Sequence, residues 1–211
     1  MSKHVIRAVI LITATVFSAS LLAQTELSDA ARLLKQKLSG LTSFSGHFTQ
    51  RVTDINGEIL QQAQGNMTLA VPDLMRWQVT EPDDTLLIAD GDTLWHVDPF
   101  VEQVTALSQR QAISNNPIVL LTSPDNEHWQ QYQVSVDNDV FDVTSNNPEG
   151  QIVALKISFA DNALSRLVLI DRQQQVSEFV FSEQRMNENL DSSLFSFTLP
   201  DGYSLDDQRS E

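Results

Sequence analysis

The segment NMTLAVPDLMRWQV, residues 66–79, decides the fold class. Apolar side chains occupy every second position on both sides of the proline, at Met67, Leu69, Val71, Met75, Trp77 and Val79. A period of two is typical of a strand with one buried face. The segment therefore predicts two neighbouring strands joined by a turn at Pro72 and Asp73.

The same alternation extends in both directions along the chain. Asn56-Gly57, between two strand-like runs, predicts a hairpin. Further strands are predicted at 86–89, 94–97, 129–136, 140–143, 152–159, 164–170 and 176–181, with a last strand marked by Phe195 and Phe197. Many short antiparallel strands with few helices favour a mainly β fold, either a curved sheet or an open barrel.

Three segments carry helical signals. Residues 26–40 place leucines and alanine at spacings of three and four, which predicts an amphipathic helix. Residues 105–123 interrupt the strand pattern, and two short helices are predicted there, at 107–113 and 117–121. Asn116 is the predicted cap of the second, because Pro117 suits the first helical position.

Residues 1–23 have the features of a cleaved secretory signal. Lys3 and Arg7 precede an apolar run, and small residues lead to Ala23. We expect residues 24–211 to form a single domain of ordinary size. Because the chain has no cysteine, the mature N-terminus cannot be lipidated as in a bacterial lipoprotein.

Composition and motifs exclude most chemistry. The absence of cysteine rules out disulfides and thiol catalysis, and the net charge of −15 argues against nucleic acid as a partner. His47, His96 and His128 have no metal-ligand spacing, and the sequence has no nucleophile elbow or phosphate-binding loop. We therefore expect no catalytic residues, no metal and no cofactor.

The apolar residues leave two interpretations open. Met75, Trp77 and Val79 share one strand face, Trp95 lies on another strand, and residues 117–121 are nearly all aliphatic. Ordinary core packing explains any one of them. Together they also fit a hydrophobic cavity between a curved sheet and short helices, where open barrels often hold a ligand.

The order of several short motifs resembles a known family. These are Phe48-Thr49-Gln50, Gln64-Gly65, Pro72-Asp73-Leu74, residues 90–95, residues 98–103, residues 129–132, Phe195-Ser196-Phe197 and residues 206–209. In that order they resemble the periplasmic outer-membrane lipoprotein carriers, the LolA family, over nearly the whole mature chain. The resemblance implies an incomplete antiparallel β-barrel closed by a lid of short helices over a hydrophobic cavity.

The resemblance also implies a function and partners. The cavity would receive the acyl chains of lipoproteins released by an inner-membrane ABC transporter, LolCDE, and the carrier would deliver them to an outer-membrane receptor, LolB. A carrier that hides its ligand inside itself has no need of a second copy, so we expect a monomer.

Individual residues carry over unevenly from the family. The resemblance places Met75 at the cavity mouth, near the surface that contacts the transporter, and sets Leu121 on the lid opposite Leu167. Trp77 has the same strand parity as Met75, so we expect it to face inward. The family commonly has an arginine before the proline, which latches the lid, whereas this chain has Val71. The predicted cavity and lid residues are Met75, Trp77, Val79, Trp95, Ile118, Leu121 and Leu167.

Two alternatives belong to other classes of protein. One is a periplasmic module of the same fold class that senses lipids or lipopeptides. Regulators with such a module usually carry a second domain, for which 188 mature residues leave no room. The other is an envelope enzyme, which the missing catalytic motifs make a poor fit.

Overall fold

One sheet of twelve strands forms most of the molecule. The structure is a computed structural model that describes residues 27–113, 116–123, 126–147 and 150–209, so the predicted signal at 1–23 lies outside the described residues. The strands are β1 (Ser43–Thr53), β2 (Ile59–Ala70), β3 (Leu74–Glu81), β4 (Thr85–Asp90), β5 (Thr93–Asp98), β6 (Gln103–Ser108), β7 (Tyr132–Asp137), β8 (Val140–Ser145), β9 (Ile152–Ala160), β10 (Ala163–Asp171), β11 (Val176–Met186) and β12 (Ser204–Asp207).

The sheet is open. Its order is β12-β6-β5-β4-β3-β2-β1-β11-β10-β9-β8-β7, and the two end strands do not pair with each other. All neighbours are antiparallel except β12, which runs parallel to β6. The predicted hairpin joins β1 to β2, and Gly57 at its turn has a φ of 82°, a conformation that glycine adopts without strain. The mainly β prediction is confirmed as an incomplete barrel.

Short helices lie against this sheet. They are α1 (Asp29–Ser39), α2 (Gln109–Ile113), the lid helix (Pro117–Leu121, a 3₁₀ helix), α3 (Asn126–Trp129) and a second 3₁₀ turn (Ser192–Phe195). The Ser28 hydroxyl caps α1 by accepting a hydrogen bond from the Ala31 amide. Among the described residues, no helix has the length and apolarity needed to cross a membrane.

Three local predictions are wrong. Residues 105–108 belong to strand β6, so α2 starts only at Gln109. Trp129 ends α3, and the following strand begins at Tyr132. Phe195 ends a 3₁₀ turn instead of entering a strand, and the last strand is Ser204–Asp207. In each case the presence or absence of a pairing partner in the sheet overrides the local sequence pattern.

Register separates the two faces of the sheet. Directly opposed residues of antiparallel strands point to the same face. Phe48 is opposite Gly65, and Leu69 is opposite Met75. Since Phe48 and Leu69 are buried in the main apolar cluster, we call their side of the sheet the inner face. Helix α1 packs near β7, and the lid helix packs against β8 and β9.

The outer face carries an ion-pair network across three adjacent strands. Glu178 on β11 accepts hydrogen bonds from Arg51 Nη2 at 2.9 Å and from Arg166 Nε at 2.7 Å. These bonds, first that from Arg51 and then that from Arg166, hold the pKa of Glu178 below its usual value. The network therefore ties β1, β10 and β11 together while Glu178 is ionised.

We expect Glu178→Gln to lower the free energy of unfolding by about 1 kcal/mol at pH 7. A carboxylate with a depressed pKa stabilises the fold above its unfolded pKa of about 4.3 and loses that effect as the pH falls through the folded pKa. The difference between wild type and variant should therefore be smaller at pH 3 than at pH 7. Urea unfolding at both pH values measures it, with Glu183→Gln on the same strand as the control, and an equal difference at both pH values would contradict the assignment.

Candidate functional site

The lid helix closes the inner face of the sheet. Pro117 occupies its first turn, and the Asn116 side chain accepts a hydrogen bond from the Ile118 amide at 3.1 Å, as predicted. Every buried residue of this helix is apolar or proline. The lid helix therefore contributes an aliphatic surface to the interior and no charge.

Most of the predicted cavity residues come together. Leu121 on the lid and Leu167 on β10 are 2% and 0% exposed, and both belong to the main apolar cluster. The partly buried members packed against that cluster include Met75, Trp77, Val79 and Ile118. Six of the seven predicted residues thus line or border one interior, formed by sequence segments up to about a hundred residues apart.

Trp95 lies elsewhere, and its prediction as a cavity residue is corrected. Trp77 is opposite Leu87, and Leu87 is opposite His96, so the neighbouring Trp95 points to the outer face. There its ring stacks on Phe197 with centroids 4.6 Å apart, and its Nε1 donates to Asp90 Oδ2 at 2.8 Å. Trp95 therefore anchors the C-terminal segment against the outer face.

An aromatic group that the sequence analysis did not assign to the cavity lies on the inner face. Phe48, Trp77 and Phe179 are in mutual contact, with centroids 4.6, 5.8 and 4.8 Å apart. Gly65 makes room for them, because a Cβ there would lie 2.0 Å from the Gln78 carbonyl oxygen and 2.8 Å from Phe48 Cζ. Alternation along each strand shows only which residues share a face. The pairing of β1 with β11 is also needed to show that Phe48 and Phe179 lie on the same, inner face.

Two small cavities lie beside the lid helix. The first, of about 140 Å³, is lined by Val71 together with Leu120 and Leu121 of the lid region. The second, of about 210 Å³, is lined by Leu121 and Phe159 among others. Val71 thus borders the same cavity as the lid helix, at the position where the resemblance implies a latching arginine.

These cavities are smaller than an acyl chain. A cavity of about 150 Å³ is enough for one benzene molecule, which has six carbons. Each gap therefore accommodates only a fragment of a sixteen-carbon chain.

Three buried polar atoms next to the lid have no partner. Among the residues that the structure describes, these are His128 Nδ1, Trp129 Nε1 and the Tyr132 hydroxyl. Burial raises the pKa of Tyr132 to about 12, so its hydroxyl stays protonated at neutral pH. An unpaired buried polar group costs about 1–3 kcal/mol. Within the part of the chain that the structure describes, these three groups therefore carry a desolvation cost.

The geometry fits apolar binding. Within the described ranges, no group of three histidine, aspartate or glutamate side chains could hold a metal ion. The interior instead combines aliphatic and aromatic side chains beneath a short lid. Fold and site together define a half-barrel protein with an apolar interior that includes a short lid helix.

Comparison with known proteins identifies the family. The chain belongs to the outer membrane lipoprotein carrier protein LolA family, whose model matches residues 39–198. It is 41% identical to an outer-membrane lipoprotein carrier protein of Pseudoalteromonas translucida, over 90% of this chain and 92% of that protein. The carrier protein of Aeromonas salmonicida is 40% identical, over 86% and 91% of the two chains.

A solved structure supports the fold alone. An uncharacterized conserved protein from Thermus thermophilus matches with a TM-score of 0.52 at 12% identity, and the match covers 84% of this chain and 99% of that one. The open sheet is therefore shared beyond recognisable sequence similarity.

Proposed function

We propose that this protein is a periplasmic carrier of acylated lipoproteins. Its closable apolar interior, formed by the inner face and the lid helix, carries the proposal. Family membership supports it, since relatives named as outer-membrane lipoprotein carriers align over about nine-tenths of the chain. The same alignments do not favour a lipid-sensing module.

The physical need for a carrier is large. Exposing an acyl chain of about sixteen carbons to water costs on the order of 12 kcal/mol. A lipoprotein with two or three such chains does not cross an aqueous compartment alone at a useful rate. We propose that the apolar interior opens when a partner presents the cargo and covers the acyl chains during transit. Without cargo, the side chains of the carrier pack against one another in that interior.

The handover scheme follows from the absence of a nucleotide-binding motif in the sequence. We propose that the inner-membrane ABC transporter LolCDE supplies the energy for extraction and that the outer-membrane receptor LolB accepts the cargo. The carrier then binds its cargo more weakly than the acceptor does. The carrier is proposed to act as a monomer, because cargo and lid fit within one chain.

Export is part of the proposal. Cleavage after Ala23 would remove Lys3 and Arg7, leaving 11 basic and 28 acidic residues and a net charge of −17 in residues 24–211. A protein this acidic is repelled by anionic lipid surfaces. It would contact membranes only through its protein partners. Mass spectrometry of the exported protein tests whether cleavage occurs after Ala23.

A release assay tests the function. The mature protein is mixed with spheroplasts that bear the cognate transporter and ATP, and the supernatant is probed for a soluble complex with a lipoprotein. We expect ATP-dependent release. Failure to form any complex, while a known carrier succeeds in parallel, would refute the proposal.

A further inference from the structure

One buried glutamine contacts three segments of the chain. Gln109, the first residue of α2, is only 4% exposed. Its Nε2 donates a hydrogen bond to the Asp73 carbonyl oxygen at 2.7 Å, and its Oε1 accepts one from the Gly91 amide at 3.0 Å. Its own backbone amide donates to the Asp92 carbonyl oxygen at 3.0 Å. Gln109 therefore joins the β2–β3 turn, the β4–β5 turn and the start of α2.

The partners of Gln109 restrict which side chain fits this position. A backbone amide only donates and a carbonyl oxygen only accepts, so a side chain that binds both must carry one donor and one acceptor. The glutamine amide has both. Methionine has a similar length but neither group, and an ionised glutamate accepts without donating.

The β2–β3 turn forms part of the wall of a cavity. Val71 in this turn lines the cavity of about 140 Å³ together with two leucines of the lid helix. The Val71 amide donates to the carbonyl oxygen of Thr42, immediately before β1, at 3.0 Å. Gln109 holds the same turn from the side of α2, through Asp73. The position of this cavity wall thus depends on the hydrogen bonds of Gln109.

Chain topology makes Gln109 an attachment point of the lid. Residues 109–131, which we call the lid-bearing segment, connect β6 to β7 and contain α2, the lid helix and α3. In the sheet order β6 is second from one side and β7 is last at the other, so this segment connects opposite sides of the open sheet. At its β7 end, the Asn146 amide donates to the Gln131 carbonyl oxygen at 2.9 Å. At its β6 end, Gln109 makes the attachment.

We infer that Gln109 is a positioning residue for cargo binding, which fixes the β6 end of the lid-bearing segment to the β2–β3 turn beside the cavity. The inference rests on the proposed function, in which an acyl chain occupies the apolar interior. Loss of the two side-chain hydrogen bonds lets the segment separate from the turn more often. A bound acyl chain is then released faster.

Gln109→Met tests the positioning role, with Gln184→Met as the matched control. Gln184 on β11 also donates to two carbonyl oxygens, those of Phe181 at 3.0 Å and Leu164 at 3.2 Å, so its hydrogen bonds join β11 to β10. Amide hydrogen exchange of the mature protein is followed by NMR at Val119 and Ser123, whose amides are hydrogen-bonded within the lid region.

We expect about tenfold faster exchange at these lid amides in Gln109→Met, the effect of losing two hydrogen bonds. Amides of β9 and β10 should exchange as in wild type, because they report opening of the sheet. The control should leave the lid amides unchanged. Gln109→Glu, which keeps the shape of the side chain and loses the donor to Asp73 when ionised, should change exchange in the same direction.

A ligand measurement complements the exchange data. The fluorescent fatty acid cis-parinaric acid is bound to each mature protein, and its dissociation is followed by stopped flow. We expect about tenfold faster dissociation from Gln109→Met and no change for Gln184→Met.

Wild-type lid exchange and wild-type dissociation in both Gln109 variants would overturn the inference and leave the carrier function standing. Exchange that rises equally in the lid and in β9 and β10 would also overturn it, because Gln109 would then only stabilise the whole fold. Failure of the wild-type protein in the spheroplast release assay would instead refute the carrier function, which the exchange measurements do not test.

Discussion

Replacing Leu121 with glutamate is expected to reduce lipoprotein loading more than about tenfold while the sheet remains folded. In the closed state Leu121 is almost completely buried against the apolar cluster. An unpaired carboxylate there costs several kcal/mol, and each 1.4 kcal/mol corresponds to about tenfold in an equilibrium. We expect the variant to respond by outward movement of the short lid helix, which costs less free energy than unfolding the sheet. An acyl chain that enters the interior then contacts the introduced carboxylate, which weakens binding.

The release assay with transporter-bearing spheroplasts measures this effect. Leu33→Glu is the matched control, because Leu33 is an exposed leucine on α1. Circular dichroism verifies that both variants keep their strands. If Leu121→Glu loads cargo as wild type does, Leu121 does not line the acyl-binding interior.

Phe48→Ala is expected to lower the free energy of unfolding by about 3–5 kcal/mol, the range for truncating a buried phenylalanine. The Phe48 ring is fully buried and contacts Trp77 and Phe179 on two other strands. Its loss leaves a cavity beside the Gly65 backbone, which packs directly against the ring and is held in the paired strand β2.

Urea unfolding followed by tryptophan fluorescence measures this change. Val180→Ala is the control, since Val180 is an exposed apolar residue on β11, the strand that also carries Phe179. A loss below about 1 kcal/mol for Phe48→Ala would show that the aromatic group is not a main source of stability.

Local patterns identified much of the fold. The alternation at Met75, Trp77 and Val79 and the Asn56-Gly57 turn each depend on neighbouring residues, and both predictions agree with the structure. The same applies to the lid helix, whose Asn116 cap and Pro117 start are local signals. Such features are readable because backbone propensity and face periodicity act over a few residues.

The errors share another physical origin. Residues 204–207 form a strand because they pair in parallel with residues 103–106 of β6, about a hundred residues away in sequence, whereas residues 105–108 form one because they pair with residues 93–96 of β5. Trp95 alternates with its neighbours as Trp77 does, yet its side chain faces outward. The register across β3, β4 and β5 places His96, and not Trp95, on the same face as Trp77. No window of sequence contains that register.

The sequence by itself determined the mainly β class, the lid helix and, through family resemblance, the carrier function. It also placed six apolar residues that share one interior. Only the tertiary structure decided that these residues pack into one buried cluster, with cavities of about 140 and 210 Å³ beside Leu121. Only strand order brought Asp73 and Gly91 within hydrogen-bond distance of Gln109. The reason is physical: side-chain periodicity is a local property, whereas cavity volume and the meeting of distant turns depend on how twelve strands pair.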